Sequence, residues 1–126
     1  MKSQDNSDML EKLRCICLAL PEAAEHIDGF GHHTFKIKGK SFVISGENEK
    51  GFRLSFKSDR ETQAFLLQKE YFFKNPYIGH HGWVSIQNPD GKVWEELADL
   101  IQEAYLRAAP KRLVKQWEEL HKKIKR

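Results

Sequence analysis

A chain of 126 residues fits one domain of about 100–200 residues, and 40% hydrophobic with 31% charged residues supply both a core and a solvated surface. No apolar run nears the roughly 18 residues of a membrane span, and Met1 to Asp8 is too polar for a signal peptide, which predicts a cytoplasmic protein without a membrane segment. Two cysteines only two positions apart, Cys15 and Cys17, argue against a secreted disulfide scaffold, and a net charge of +3 does not by itself identify a nucleic-acid binder.

Leu10, Leu13, Cys17 and Leu20 recur at helical spacing and predict a helix over about residues 7–20, closed by Pro21 and preceded by a frayed stretch, 1–6. Glu25 to Ile27 predicts a short strand ending in the turn of Gly29 and Gly31. In Thr34-Phe-Lys-Ile-Lys-Gly-Lys, Phe35 and Ile37 alternate with Lys36, Lys38 and Lys40, which predicts a half-buried strand with a basic outer face. Ser41 to Ser45 reads as the return arm of a hairpin, Gly39-Lys40 being one of several possible turns. Residues 46–51 read as a polar loop. Phe52, Leu54 and Phe56 then alternate with Arg53, Ser55 and Lys57 in another strand, making an antiparallel meander the simplest topology.

Ser58 or Asp59 can cap a short helix through Phe65, Leu66 and Leu67, and residues 71–77 read as an ordered aromatic loop. Gly82 to Ile86 predicts the last strand, followed by the turn Asn88-Pro-Asp-Gly. One helical stripe then runs through Trp94, Leu97, Ile101, Ala104 or Tyr105, and Ala108. A second, started by Pro110, runs through Leu113, Trp117, Leu120 and Ile124 in a basic C-terminal helix over 110–126. The pattern predicts a single α+β domain over 1–126, an antiparallel sheet packed by helices in two layers.

The charge is segregated: residues 32–60 are locally +4 and residues 110–126 locally +5, while the remaining segments are negative. Lys36, Lys38, Lys40, Arg53 and Lys57 on strand faces are therefore candidate phosphate contacts. Lys111 and Arg112 join them at the start of the last helix, where free amides assist an anion. The competing reading is a solvated surface whose lysines discourage edge pairing. The pairs His32-His33 and His80-His81 lack metal-ligand spacing, and adjacent strand residues face opposite ways, so no metal site is expected. No nucleophile elbow, P-loop or dinucleotide fingerprint is present, so neither catalysis nor a cofactor is expected. Phe72, Phe73, Tyr77 and the three tryptophans are core material or stacking surfaces, and Trp83 beside Gly82 is the tryptophan to check for exposure.

Four blocks of sequence resemble the MmcQ/YjbR family of small bacterial proteins: Leu13-Arg-Cys-Ile-Cys-Leu-Ala-Leu-Pro-Glu-Ala, Thr34-Phe-Lys-Ile-Lys-Gly-Lys-Ser-Phe, Tyr77-Ile-Gly-His-His-Gly-Trp-Val, and Glu95-Glu-Leu through Glu103-Ala-Tyr-Leu-Arg-Ala-Ala-Pro-Lys-Arg-Leu. They cover roughly Leu10 to Leu113. The resemblance implies a CyaY-like or secretion-chaperone-like two-layer α+β fold with a double-wing arrangement of strands, and DNA binding. The chain departs from the family pattern at Gly29-Phe30-Gly31-His32 and at His80-His81, where basic residues usually precede Gly-Trp. The expected function is non-enzymatic DNA binding through phosphates. The alternatives are a protein-interaction or chaperone-like module and a small-ligand protein. A coherent positive face joining Lys38, Arg53 and Lys111 favours DNA, and a contiguous apolar patch around residues 71–77 favours a protein partner.

Overall fold

In the computed structural model, which describes residues 2–124 and the side chains of Asn6 to His121, the stripe of Leu13 and Cys17 winds a helix α1 (Lys2–Leu18). The helical backbone thus extends into the stretch expected to fray. Met1, Lys125 and Arg126 lie outside the described residues, as do the side chains of Lys122, Lys123 and Ile124, so the basic tail and the end of its stripe are not placed.

Six strands follow, β1 (Ala24–Ile27), β2 (His33–Ile37), β3 (Lys40–Asn48), β4 (Gly51–Phe56), β5 (Phe72–Phe73) and β6 (Val84–Gln87), in one sheet of order β1-β2-β3-β4-β6-β5. Every neighbouring pair is antiparallel. A short helix α2 (Arg60–Leu66), capped by Asp59, carries the chain from β4 toward the β5 edge, and α3 (Val93–Ala108) and α4 (Lys111–Ile124) close the chain. The fold is α+β, as the alternation of patterns predicts.

The inner sheet face and the helices α1 and α3 enclose the core. Leu13 and Cys17 of α1 and Leu97, Ile101 and Ala104 of α3 are fully buried with Phe35, Val43, Leu54 and Phe56 of the sheet. A β-bulge opposite Phe35 and Lys36 adds one residue to β3, so the consecutive Phe42 and Val43 both turn inward. Phe42 then meets Tyr105 edge-on at 5.7 Å, and the Tyr105 hydroxyl donates to the Pro21 carbonyl at 2.8 Å, tying α3 to the α1–β1 connection.

Four local expectations give way. Ile37 pairs with Lys40, so the two-residue turn is Lys38-Gly39. Both have positive φ, 49° and 81°, the twist-compatible turn of tight hairpins. Lys38 therefore sits at the hairpin tip and not on the strand face. Residues 46–48 are strand, paired through Gly46 with Arg53 and Asn48 with Gly51, and the loop shrinks to Glu49-Lys50 because the Asn48 side chain accepts the Lys50 amide at 2.9 Å. Within residues 71–77, Phe72 and Phe73 form an edge strand because Phe72 is buried edge-on against Phe56, 5.9 Å away. His80 and His81 lie in a 3-10 turn (Gly79–His81), and not in a strand, with rings 3.8 Å apart.

Candidate nucleic-acid interface

Lys38 at the hairpin tip and Arg112 in the first turn of α4 are drawn together by Glu22, whose carboxylate takes Lys38 Nζ at 2.7 Å and an Arg112 nitrogen at 3.4 Å. Hydrogen bonds from Lys38 and then Arg112 hold the Glu22 pKa below the ordinary glutamate range. Lys40 and Lys111 are exposed beside these two. Strand alternation turns Lys36 and Lys57 outward at the same end of the sheet: Lys36 pairs with Ser41, and the Lys57 amide donates to the Phe42 carbonyl at 3.0 Å. Lys38 and Arg112 thus meet through Glu22, Lys40 and Lys111 neighbour them in the chain, and Lys36 and Lys57 lie on the outer sheet face toward the same end. Asp59 follows Lys57 by two residues. Its hydrogen bond from the Thr62 amide, followed by the Arg107 guanidinium at 3.1 Å, holds its pKa below the ordinary aspartate range.

Arg53 does not join these cations. It lies four residues back along β4 from Lys57, about 13 Å at roughly 3.3 Å per residue. There it lines a separate cup of about 270 Å³ on the outer sheet face. Thr34, Ile44 and Ser55 floor the cup, and the segments Asp28–His32 and Asn75–Ile78 wall it. Ser55 is buried and shares a 2.6 Å hydrogen bond with Ser85. Both walls have the same construction. Asp28 Oδ1 accepts the Phe30 amide at 2.8 Å, and Asn75 Oδ1 accepts the Tyr77 amide at 2.7 Å, leaving Phe30 89% and Tyr77 82% exposed. His32 Nδ1 lies 3.0 Å from Asp28 Oδ2, and its ring covers Gly46 so closely that a Cβ there would sit 2.7 Å from Cδ2. The backbone bonds from His32 and Phe30, with the His32 ring, hold the Asp28 pKa below the ordinary aspartate range. Tyr77 was already a candidate stacking surface and His32 half of a histidine pair; Phe30 and Asn75 were not singled out. Their signal is an Asx residue two positions before an aromatic, repeated in two loops.

A larger cavity of about 440 Å³ opens between α1 and the β6–α3 connection, lined by Met9, Lys12, Lys50 and Trp94 among others. None of the seven nominated cations lines it. Trp83 is 7% exposed, so it offers no stacking surface. Within residues 71–77, Tyr71 bonds Glu96 at 2.8 Å and Phe72 is buried, while Tyr77 is 82% exposed. His33 turns to the side of the sheet opposite His32, its Nδ1 2.6 Å from Glu25 Oε2. Among the described residues no three His, Cys, Asp or Glu side chains are grouped as metal ligands. Burial pushes the Cys17 thiol pKa up, while Cys15 is exposed. No described helix is long and apolar enough to cross a membrane.

The YjbR family model matches residues 18–107. Among solved structures, protein DR2400 of Deinococcus radiodurans, which carries a domain designated DUF419, is similar over 77% of this chain and 75% of its own, at 23% identity and a TM-score of 0.68. That likeness supports the shared fold. No protein of curated function matches the sequence.

Proposed function

The chain belongs to the YjbR family, and from that premise we propose that it binds DNA without catalysis, by phosphate contacts from Lys38, Lys40, Lys111 and Arg112 flanked by Lys36 and Lys57. The observation that carries this reading is the Glu22 bridge between Lys38 and Arg112, which brings the hairpin tip and the first turn of α4 to one end of the molecule. A projecting hairpin and the amide-rich start of a helix both suit a duplex backbone, and lysine clusters without base readers suit binding with little sequence preference. A salt series of fluorescence anisotropy on a labelled duplex tests it. A Lys38→Ala/Lys40→Ala/Lys111→Ala/Arg112→Ala variant is expected to bind more weakly and to lose about 0.9 in log–log salt slope for each phosphate contact removed. Absence of duplex binding at low salt sinks the reading.

A second reading has one observation in its favour. Leu113 of α4 is buried, but Leu120, seven residues on along the same stripe, is 55% exposed, which suits a protein partner on that helix. A salt-insensitive complex abolished by Leu120→Glu would favour this partner reading over DNA.

A further inference from the structure

We infer that the cup on the outer sheet face is a site for one unpaired nucleotide, its base against Phe30 and Tyr77 and its phosphate on Arg53. The inference rests on the nucleic-acid reading and deepens it, placing a single-stranded contact apart from the lysine cluster. The cup has a cation in its lining, and each of its two wall segments carries one exposed ring, Phe30 or Tyr77. Arg53 is half-buried there, and the cup's carboxylate, Asp28, is committed to His32 and to two backbone amides. Among the described residues no ion pair includes Arg53. A half-buried guanidinium without a carboxylate partner calls for an anion, and its planar fork suits phosphate.

The rim supplies the other half of the ligand. Phe30 and Tyr77 add almost nothing to the core at 89% and 82% exposure, yet the backbone of each is held by an Asx oxygen on its own amide. Exposed rings on backbone-fixed turns beside an uncommitted cation are the parts of a stacking platform, which accepts any base because every base has a π-face. The Phe30 ring lies 6.5 Å from that of His32, itself held by Asp28, so the aromatic surface continues inward from the rim. Gly46 makes room for the His32 ring. A cup of about 270 Å³ suits one base-sized ring and not a stacked base pair, so the base must be splayed out of a helix or come from a single strand or a free nucleotide.

The test uses labelled dT10, a labelled duplex and dTMP against the full chain. For the wild type, dT10 is expected to shift the amide NMR signals of Gly46 and Ser55. Shifts with dTMP as well identify a free nucleotide as sufficient, and shifts with dT10 alone identify a strand as the source. Phe30→Ala/Tyr77→Ala is expected to weaken dT10 binding by about fivefold to a hundredfold for each ring lost, with duplex binding unchanged. Arg53→Gln is expected to weaken dT10 binding and lower its salt slope by roughly 0.7, the single-strand value per contact. Because both rings are exposed, thermal melts of the double variant are expected to match the wild type. The inference is overturned if dT10 affinity is indifferent to the ring substitutions, or if neither dT10 nor dTMP moves the Gly46 and Ser55 signals. Loss of duplex binding in the lysine variant with dT10 binding intact separates this site from the lysine cluster. Duplex binding absent from the wild type, with dT10 bound through the rings, would sink the duplex reading and leave this site standing.

Discussion

Lys38 occupies a backbone conformation that another residue would suit better. It takes a left-handed backbone, φ 49°, in a turn whose favoured sequence is Asn-Gly, and a lysine there is strained by roughly 1–2 kcal/mol. Its Glu22 partner has φ 63° and is also a non-glycine residue at positive φ, so the ion pair joins two unfavourable backbones. Lys38→Asn is expected to raise stability by about 0.5–1 kcal/mol in urea melts while weakening duplex binding. A variant that loses stability would place the value of Lys38 in the fold and not in a ligand. The cysteines give a second residue-scale contrast, because Cys17 is fully buried with its thiol pKa pushed up by burial, whereas Cys15 lies exposed on the same helix. A thiol assay on the native protein is expected to count one reactive cysteine, and a second only in denaturant.

Elements were legible in the sequence wherever their own pattern sufficed. The α3 stripe from Trp94 to Ala108 is buried as the 3.6-residue period predicts, and β2 and β4 bury Phe35, Ile37, Leu54 and Phe56 as alternation predicts. Strands made by their neighbours were not legible. Gly46-Glu-Asn has no apolar alternation and becomes strand because β4 pairs with it, while Phe72 and Phe73 need β6 to form an edge. Beside its buried Leu13 and Cys17, α1 also meets this sheet through a polar contact: Arg14 Nε meets Glu25 Oε1 of β1 at 3.0 Å, and His33 Nδ1 of β2 meets Oε2 at 2.6 Å. Burial raises the Glu25 pKa, but the hydrogen bonds from Arg14 and His33 outweigh it, and the net shift is downward. A carboxylate with a lowered folded pKa contributes stability that is complete above its unfolded value and is lost as pH falls through the folded one. Arg14→Gln is therefore expected to cost about 1 kcal/mol at neutral pH, after allowing for solvent screening. The difference between variant and wild type should shrink as urea melts are taken into the acid range where Glu25 protonates.

For the whole molecule, local pattern named the cations but could not say which of them meet. Lys38 and Arg112 are brought together by the closure of the entire chain, with Glu22 between them, while Arg53 and Lys57, on one strand with one alternation, end in different places. Phe30 was hidden because an aromatic residue is, by default, core material, whereas Tyr77 could be read as core or as a stacking surface. Glu22 gives this arrangement a consequence at molecular scale, since it fills with its own carboxylate the position between two cations where a phosphate oxygen would sit. The pKa of Glu22 is lowered by Lys38 and Arg112, so it is ionised at neutral pH, where, on the proposed DNA reading, it would compete with a phosphate. Glu22→Gln keeps the side chain's size and removes the charge. It is expected to strengthen duplex binding severalfold at low salt, with the gain narrowing as salt screens exposed charges, and to leave dT10 binding at the distant cup unchanged. In anisotropy titrations, equal or weaker duplex affinity would mean that Glu22 holds the two cations in their binding geometry and does not compete for them. Combining Glu22→Gln with Arg112→Ala separates those cases: the gain should largely disappear in the double variant if the freed guanidinium is what takes the phosphate.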